Sequence, residues 1–337
     1  MKAYFAKVPM KFECRDIEIS PLAPDEVLVK VKACGVCGWD VLVATDVATD
    51  WSPIGHELTG KIVDMGTAVP DHIVIGDRVV VENSTYCGVC EQCKRGHVAH
   101  CVNLDHHRQG SGFAEYIKVR YTSVYPMGDL DYAAGALAEP LTVAIDMIEM
   151  AEIPLAGRVA VFGPGPIGLM IARLAFVKGA SRVYLTGHAH SKRRWKVAEE
   201  IGVTDCIYAD RKDVVAYFKD TEPNGLDRVL VTAPPSTIPD AAEILRFGGI
   251  ITYNGIKFGG GEMIQLDGNT FHFNRLQLRG VHSIPNLGWP QAVDLLENCV
   301  IDPDLFISHT YPFDEVPEAV RFAAKARAQT VKVMVTM

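Results

Sequence analysis

The apolar positions of the chain change their period about a third of the way along. In the first third they come as short β-rich runs, at residues 27–32, 60–64, 77–81 and 114–119, punctuated by Gly55, Gly60, Gly66 and Gly76. Short runs broken by turn residues predict a small, mostly antiparallel β-barrel. From about Leu137 the pattern alternates instead. An apolar strand at 159–162 leads into a helix at 166–178 that Gly179 ends, followed by a strand at 182–186, a helix at 191–201 and a strand at 228–231. A helix at 241–246 stops at Gly248 and Gly249, ahead of a strand at 250–253. Alternating β and α elements predict a parallel, doubly wound sheet with helices on both faces, so the expected class is α/β. Beyond Leu276 this rhythm fades, and the chain ends in a predicted strand at 331–335 that is expected to fold back onto the first domain.

Length and charge narrow the picture. A chain of 337 residues exceeds one ordinary core and fits two domains. Acidic residues outnumber basic ones by 41 to 33 and no run of five Lys or Arg occurs, so nucleic acid and anionic membranes are not expected partners. The longest apolar stretch, 159–172, is closed by Arg158 and Arg173 and falls short of the roughly 18 residues of a membrane span. The opening residues lack an apolar core of secretory length and read as a first strand, which makes the cytoplasm the expected compartment.

Nine cysteines in a chain of this size and compartment point to metal rather than disulfides where they cluster. Cys87, Cys90, Cys93 and Cys101 stand at C-x2-C-x2-C-x7-C, a spacing that lets one loop wrap a cation. Four thiolates with no open position describe a structural zinc site; an iron–sulfur cluster is the alternative with the same ligand count. Cys14, Cys206 and Cys299 are isolated and read as inert core thiols.

Directly after the strand at 159–162 comes Gly163-Pro164-Gly165-Pro166-Ile167-Gly168, a GxGxxG that opens a helix. The first glycine makes a tight turn, the second admits a pyrophosphate and the third packs helix on strand. The helix amino terminus then faces the phosphate. A carboxylate at the end of the next strand would grip the ribose of NAD, but Gly187 and His188 stand there, with Lys192, Arg193 and Arg194 shortly after. A missing acid with nearby cations favours the 2′-phosphate of NADP; a solvated helix start is the plainer explanation of the cations. Cys37, His56, Glu57 and Glu139 are dispersed candidates whose spacing alone proves no shared site.

Together these features resemble the zinc-dependent medium-chain dehydrogenase/reductase family, which includes alcohol, sorbitol and threonine dehydrogenases. The resemblance runs through GVCGWD, GHELTG, the four-cysteine loop, GSGFAEYIKV, ALAEPLTVA and GPGPIG to the tail strand at Lys332. It implies a GroES-like barrel formed by residues 1–138 and 276–337, a Rossmann coenzyme domain at 139–275, and an active site in the cleft between them. Cys37 and His56 match two catalytic zinc ligands. Glu139 matches the acidic residue of the polyol and threonine dehydrogenase branch, and Glu57 the glutamate that follows the histidine; which of the two holds the metal at rest is open. Asn254, Gly255 and Ile256, with Val281 and His282, match the nicotinamide contacts.

The resemblance further implies hydride transfer between a nicotinamide coenzyme and a small-molecule substrate, a secondary hydroxyl of a polyol, sugar derivative or cyclitol, by a homodimer or homotetramer. A simple alcohol or aldehyde reductase of the same fold is the nearest alternative, and a non-catalytic dinucleotide-binding sensor or assembly protein is the alternative of another class. One position departs from the family. Trp39 stands where a Ser or Thr relays the substrate proton, and an indole N–H cannot shuttle a proton at ordinary pH. A water relay through Glu57 or Asp40, a different relay residue and lost activity are the three explanations, and the first is the expected one. The indole also has the size to narrow the pocket or stack on a sugar-like ring. His106 and His107 read as surface histidines of a loop.

Overall fold

Val27, Val29, Val31 and Ala33 are buried at every second position of the Glu26–Gly35 strand, so one face of that strand is committed to a core. The computed structural model describes residues 1–82, 84–106, 111–285 and 288–337. Contacts divide the chain into two units, one of Met1–Thr142, Ser283–Ala326 and Lys332–Met337, the other of Val143–His282 and Arg327–Val331.

In the first unit the Glu26–Gly35 strand organises a seven-stranded sheet. It pairs antiparallel with Glu57–Met65, Tyr116–Arg120 and the tail strand Lys332–Thr336. The tail strand pairs parallel with Ile307–Pro312 on its other side, so it lies inside the sheet and not at an edge. Val333 and Val335 from the tail, Val316, Ala319 and Val320 from the Val316–Lys325 helix, and Ile62, Val79 and Val81 share one core with the valines of Glu26–Gly35. Each valine or isoleucine among them contributes about 1.5–3 kcal/mol on burial. A three-stranded sheet, Lys11–Asp16, Lys2–Lys7 and Ser52–Pro53, flanks it.

The second unit holds a six-stranded, wholly parallel sheet in the order Asp205–Tyr208, Arg182–Gly187, Arg158–Phe162, Leu226–Val231, Leu245–Tyr253, Gln277–Gly280. The first strand in sequence, Arg158–Phe162, is central, and the connections run outward from it to both sides. That reversal is the topological switch point where doubly wound sheets bind ligands. Val159, Ala160, Val161 and Phe162 are all buried, as expected of a strand covered on both faces.

Two of the six strands escape the hydrophobic pattern. Asp205–Tyr208 and Gln277–Gly280 are short edge strands, DCIY and QLRG, with too few apolar residues to show a period. Because Gln277–Gly280 is the sixth strand, this unit extends to His282 and not to the expected 275. The helix expected at 241–246 is Ile238–Glu243, and the next strand begins at Leu245. A register shift between Leu226 and Arg228 absorbs the intervening residues as a bulge around Gly248. Among the described residues no helix is long and apolar enough to cross a membrane.

Candidate active site

The Glu26–Gly35 strand delivers the chain to Cys37, whose extended backbone caps the short helix Gly38–Leu42. Asp40, in the first turn of that helix, is 1% exposed. Its Oδ2 accepts from the Cys37 amide at 2.8 Å, and its Oδ1 accepts from the Gly55 amide at 2.8 Å and lies 3.5 Å from His56 Nδ1. One buried carboxylate thus ties the Cys37 turn to the His56 turn. With Asp40 on Nδ1, the other ring nitrogen of His56 is left for a metal, the arrangement that orients imidazole ligands.

Glu57 opens the Glu57–Met65 strand opposite Gly35 and is fully buried. A Cβ at Gly35 would lie 2.2 Å from Glu57 Oε2, so the carboxylate requires glycine there. Cys37, His56 and Glu57 bring their ligand atoms within 4.8 Å of one another. Thiolate, imidazole and carboxylate at such range are a donor set suited to zinc.

Lys332 is the residue that sequence reasoning missed. It is 4% exposed, and its Nζ lies 2.5 and 2.6 Å from the two Glu57 oxygens and 3.3 Å from the Val36 carbonyl. Burial alone disfavours the ammonium, but Glu57, Cys37 and Glu139 more than offset this and raise its pKa. The available signal was a lone Lys inside the apolar run VKVMV.

Glu139 begins the Ala138–Ala151 helix and is also buried. Burial pushes its carboxyl up to about 7; the Glu57 and Asp40 charges add to the rise, while His56 and Lys332 oppose it. It feels the same charges as the close set without belonging to it. Asp40 and Glu57, expected in a water relay, both have their oxygens engaged in positioning contacts. Trp39 is 40% exposed.

Cys87, Cys90, Cys93 and Cys101 form the second group within 4.8 Å. Cys90 Sγ lies 3.5 Å from Cys93 Sγ and 4.0 Å from Cys101 Sγ. Tetrahedral zinc with Zn–S of ~2.3 Å sets sulfurs ~3.8 Å apart, whereas a disulfide needs ~2.05 Å. The Cys87 and Cys90 amides donate to the sulfurs of Cys101 and Cys87, each at 3.3 Å. The isolated thiols are not core residues: Cys14 and Cys299 are exposed and Cys206 is half-buried. Cys14 lies on Lys11–Asp16, paired on one side only, and Cys299 sits at a positive-φ turn after the Trp289–Glu297 helix. His106 is exposed on a short strand, where its Nδ1 meets Ser84 Oγ at 2.8 Å, while His107 lies outside the described residues.

In the second unit the glycine loop leaves the carboxyl end of Arg158–Phe162 and enters the helix Pro166–Val177 with Pro166 at its first position. A Cβ at Gly168 would fall 1.9 Å from the Gly163 carbonyl, which enforces the close helix–strand approach. Nothing lies within 4 Å of a Cβ built at Gly165. Gly187 ends the Arg182–Gly187 strand, where a Cβ would lie 2.4 Å from Pro164 Cδ. His188 and Lys192 are exposed and Arg193 is half-buried. Arg194 is engaged elsewhere: its Nε donates to the Thr330 carbonyl at 2.9 Å, and burial together with Arg327 lowers its pKa to about 10. Asn254, Gly255 and Ile256 follow the Leu245–Tyr253 strand, and Val281 and His282 follow Gln277–Gly280. These positions therefore gather at the carboxyl ends of the strands, where doubly wound sheets bind ligands.

An alcohol dehydrogenase GroES-like domain matches residues 23–129, and a zinc-binding dehydrogenase domain matches residues 166–298. D-arabinitol dehydrogenase 1 of Uromyces fabae is 31% identical over 329 residues, covering 95% of this chain and 93% of that protein. The chain belongs to the zinc-dependent medium-chain dehydrogenase family. Sorbitol dehydrogenase of Bacillus subtilis is 28% identical over 99% of this chain and 97% of its own length. A structure from Sinorhizobium meliloti 1021, described as a zinc-binding dehydrogenase bound to NADP, matches with a TM-score of 0.89 at 30% identity, over 100% of this chain and 99% of that one. As a family member the chain is an oxidoreductase with a GroES-like domain and a Rossmann domain, and it acts on a small molecule with zinc and a nicotinamide coenzyme.

Proposed function

We propose that this dehydrogenase interconverts a secondary hydroxyl and a ketone in a polyol, sugar derivative or cyclitol, with NADP preferred over NAD. The observation that carries the reading is the meeting of Cys37, His56 and Glu57 within 4.8 Å on two turns that Asp40 binds together. Three protein donors leave a position for substrate, as catalytic zinc requires. When bound, zinc supplies Lewis-acid polarisation of the substrate oxygen and the nicotinamide supplies the hydride site. Asp40 orients His56 and the Cys37 turn, and Lys332 fixes Glu57. Glu139 is the further buried carboxyl available to the metal position or to water beside it. With no hydroxyl at Trp39, the substrate proton leaves through water.

The four-cysteine loop is read as a structural zinc site, on the sulfur spacings of 3.5 and 4.0 Å. The open side of Gly165 at the start of Pro166–Val177 suits a pyrophosphate. Gly187 offers no carboxylate to a ribose, and His188, Lys192 and Arg193 are the nearby groups for a 2′-phosphate; the NADP in the Sinorhizobium meliloti structure supports that choice. Asn254, Gly255, Ile256, Val281 and His282 are assigned to the nicotinamide end. Self-association as a dimer or tetramer is the family expectation, which light scattering would read.

The test is a panel of polyols, cyclitols, sugars and simple alcohols with both coenzymes, followed by reduced-nicotinamide absorbance in protein carrying two zincs. Turnover of polyhydroxylated compounds with NADP is expected. Turnover confined to simple alcohols would overturn the substrate class, and silence throughout would overturn the reading.

A further inference from the structure

Trp39 is the position that the proposed function leaves unused. It is the most exposed of the four tryptophans, at 40%, whereas Trp195 and Trp289 are 4% and 2% exposed and Trp51 is half-buried under Lys7 and Arg15. It sits in the first turn of Gly38–Leu42, two residues after Cys37, which places its Cα about 5.5 Å from that of Cys37. Its neighbour Asp40 faces inward and holds both the Cys37 and His56 turns. Gly38, between Cys37 and Trp39, contributes no side chain, and nothing lies within 4 Å of a Cβ built there. A large indole, 40% exposed, and an open space at Gly38 thus both lie next in sequence to a residue of the close donor set.

We propose that Trp39 is a stacking platform that selects ring-shaped polyhydroxylated substrates, cyclitols or cyclic sugars, over open-chain polyols; this rests on the reading of Cys37, His56 and Glu57 as the catalytic zinc site. A six-membered polyol ring presents a flat face of C–H groups to an aromatic plane while its hydroxyls project from the rim toward polar partners. The ring also arrives with its torsions fixed. An open-chain polyol has no such face and must freeze several rotors to reach the metal position, a cost that preorganisation removes. Trp39 thus replaces the proton-relay hydroxyl with shape selection and leaves the proton to water.

Zinc-loaded wild-type protein, Trp39→Phe and Trp39→Ala are titrated by calorimetry with myo-inositol and glucose as ring probes and with sorbitol and arabinitol as open-chain probes, in the presence of NADP. Coenzyme reduction is followed in parallel. The exposure of Trp39 makes intact folding expected, and zinc content and unfolding midpoint check it. The expected result is a ~5- to 10-fold loss of ring affinity in Trp39→Ala, a ~2- to 3-fold loss in Trp39→Phe, and open-chain affinity changed less than ~2-fold in both. No ring binding by the wild type, equal losses for both substrate shapes, or ring affinity unchanged in Trp39→Ala overturns the proposal. Ring binding that depends on Trp39 without any coenzyme reduction leaves the platform standing and overturns the dehydrogenase reading. Coenzyme reduction that ignores both ring shape and residue 39 does the reverse.

Discussion

Lys332 Nζ lies 2.5 and 2.6 Å from the two carboxylate oxygens of Glu57, across 275 residues of sequence, with both side chains buried. The pair joins the tail strand to the strand that carries the residue after His56. Removing either partner of a buried ion pair leaves the other without its counter-charge. The tail strand therefore does more than complete a sheet, since it fixes one member of the close donor set from behind.

Removing one partner should cost far more than removing both. Lys332→Met leaves Glu57 buried without its cation, and a loss of about 3–5 kcal/mol is expected. Glu57→Gln strands the ammonium and should cost a similar amount. In the double variant the loss should be well below the sum of the two single losses, as read from denaturant midpoints in a double-mutant cycle. Strict additivity would show that the contact carries no coupling.

Asp40 is expected to act through the residues it holds. Asp40→Asn keeps the shape but weakens the acceptor facing His56 Nδ1 and the Cys37 and Gly55 amides. Partners of this kind typically tune metal affinity by about 10–100-fold. Chelator competition should show one of two zincs released more readily, with kcat restored by added zinc. Unchanged release kinetics would place Asp40 in a purely structural role.

The hydrophobic period made the second unit legible where strands are buried on both faces, as at Arg158–Phe162 and Leu226–Val231, because such strands are continuous apolar runs. The edge strands Asp205–Tyr208 and Gln277–Gly280 were not, since an edge strand draws on pairing more than on burial. The four cysteines were legible because their ligand spacing is local. The meeting of Cys37 with His56 was legible through the family resemblance and not through spacing, because it depends on Asp40 reaching Gly55 and on Gly35 pairing with Glu57, neither of which leaves a periodic trace. Lys332 was visible only as a charge out of place in an apolar strand; its partner lies too far away in sequence for any local pattern to name.

Stripping metal from the four-cysteine loop should loosen that loop without abolishing the site at Cys37. Few apolar residues support the segment, and Val89 and Val102 beside its cysteines are 68% and 74% exposed. In small zinc peptides the metal contributes about 10 kcal/mol or more to folding. Cys93→Ser should therefore lower zinc content from two per chain to one, increase proteolysis within residues 87–101, and lower the thermal midpoint. Two retained zincs, or a single zinc lost from Cys37 instead, would count against the assignment.

Coenzyme preference should resist change at Gly187 alone. A side chain there meets Pro164 Cδ at 2.4 Å and Trp195 Cζ2 at 3.3 Å, so Gly187→Asp forces the glycine loop itself to move. That variant is expected to lose kcat/KM with both coenzymes. Adding Pro164→Ala removes the obstructing ring and lets the new carboxylate reach the ribose hydroxyls, where it also repels a 2′-phosphate. The ratio of kcat/KM for NADP over NAD should then fall by about tenfold or more, equivalent to about 1.4 kcal/mol. A switch achieved by Gly187→Asp alone would show that Pro164 yields. An unchanged ratio in the double variant would show that residue 187 does not face the ribose, and the preference would have to be sought at His188, Lys192 and Arg193 instead.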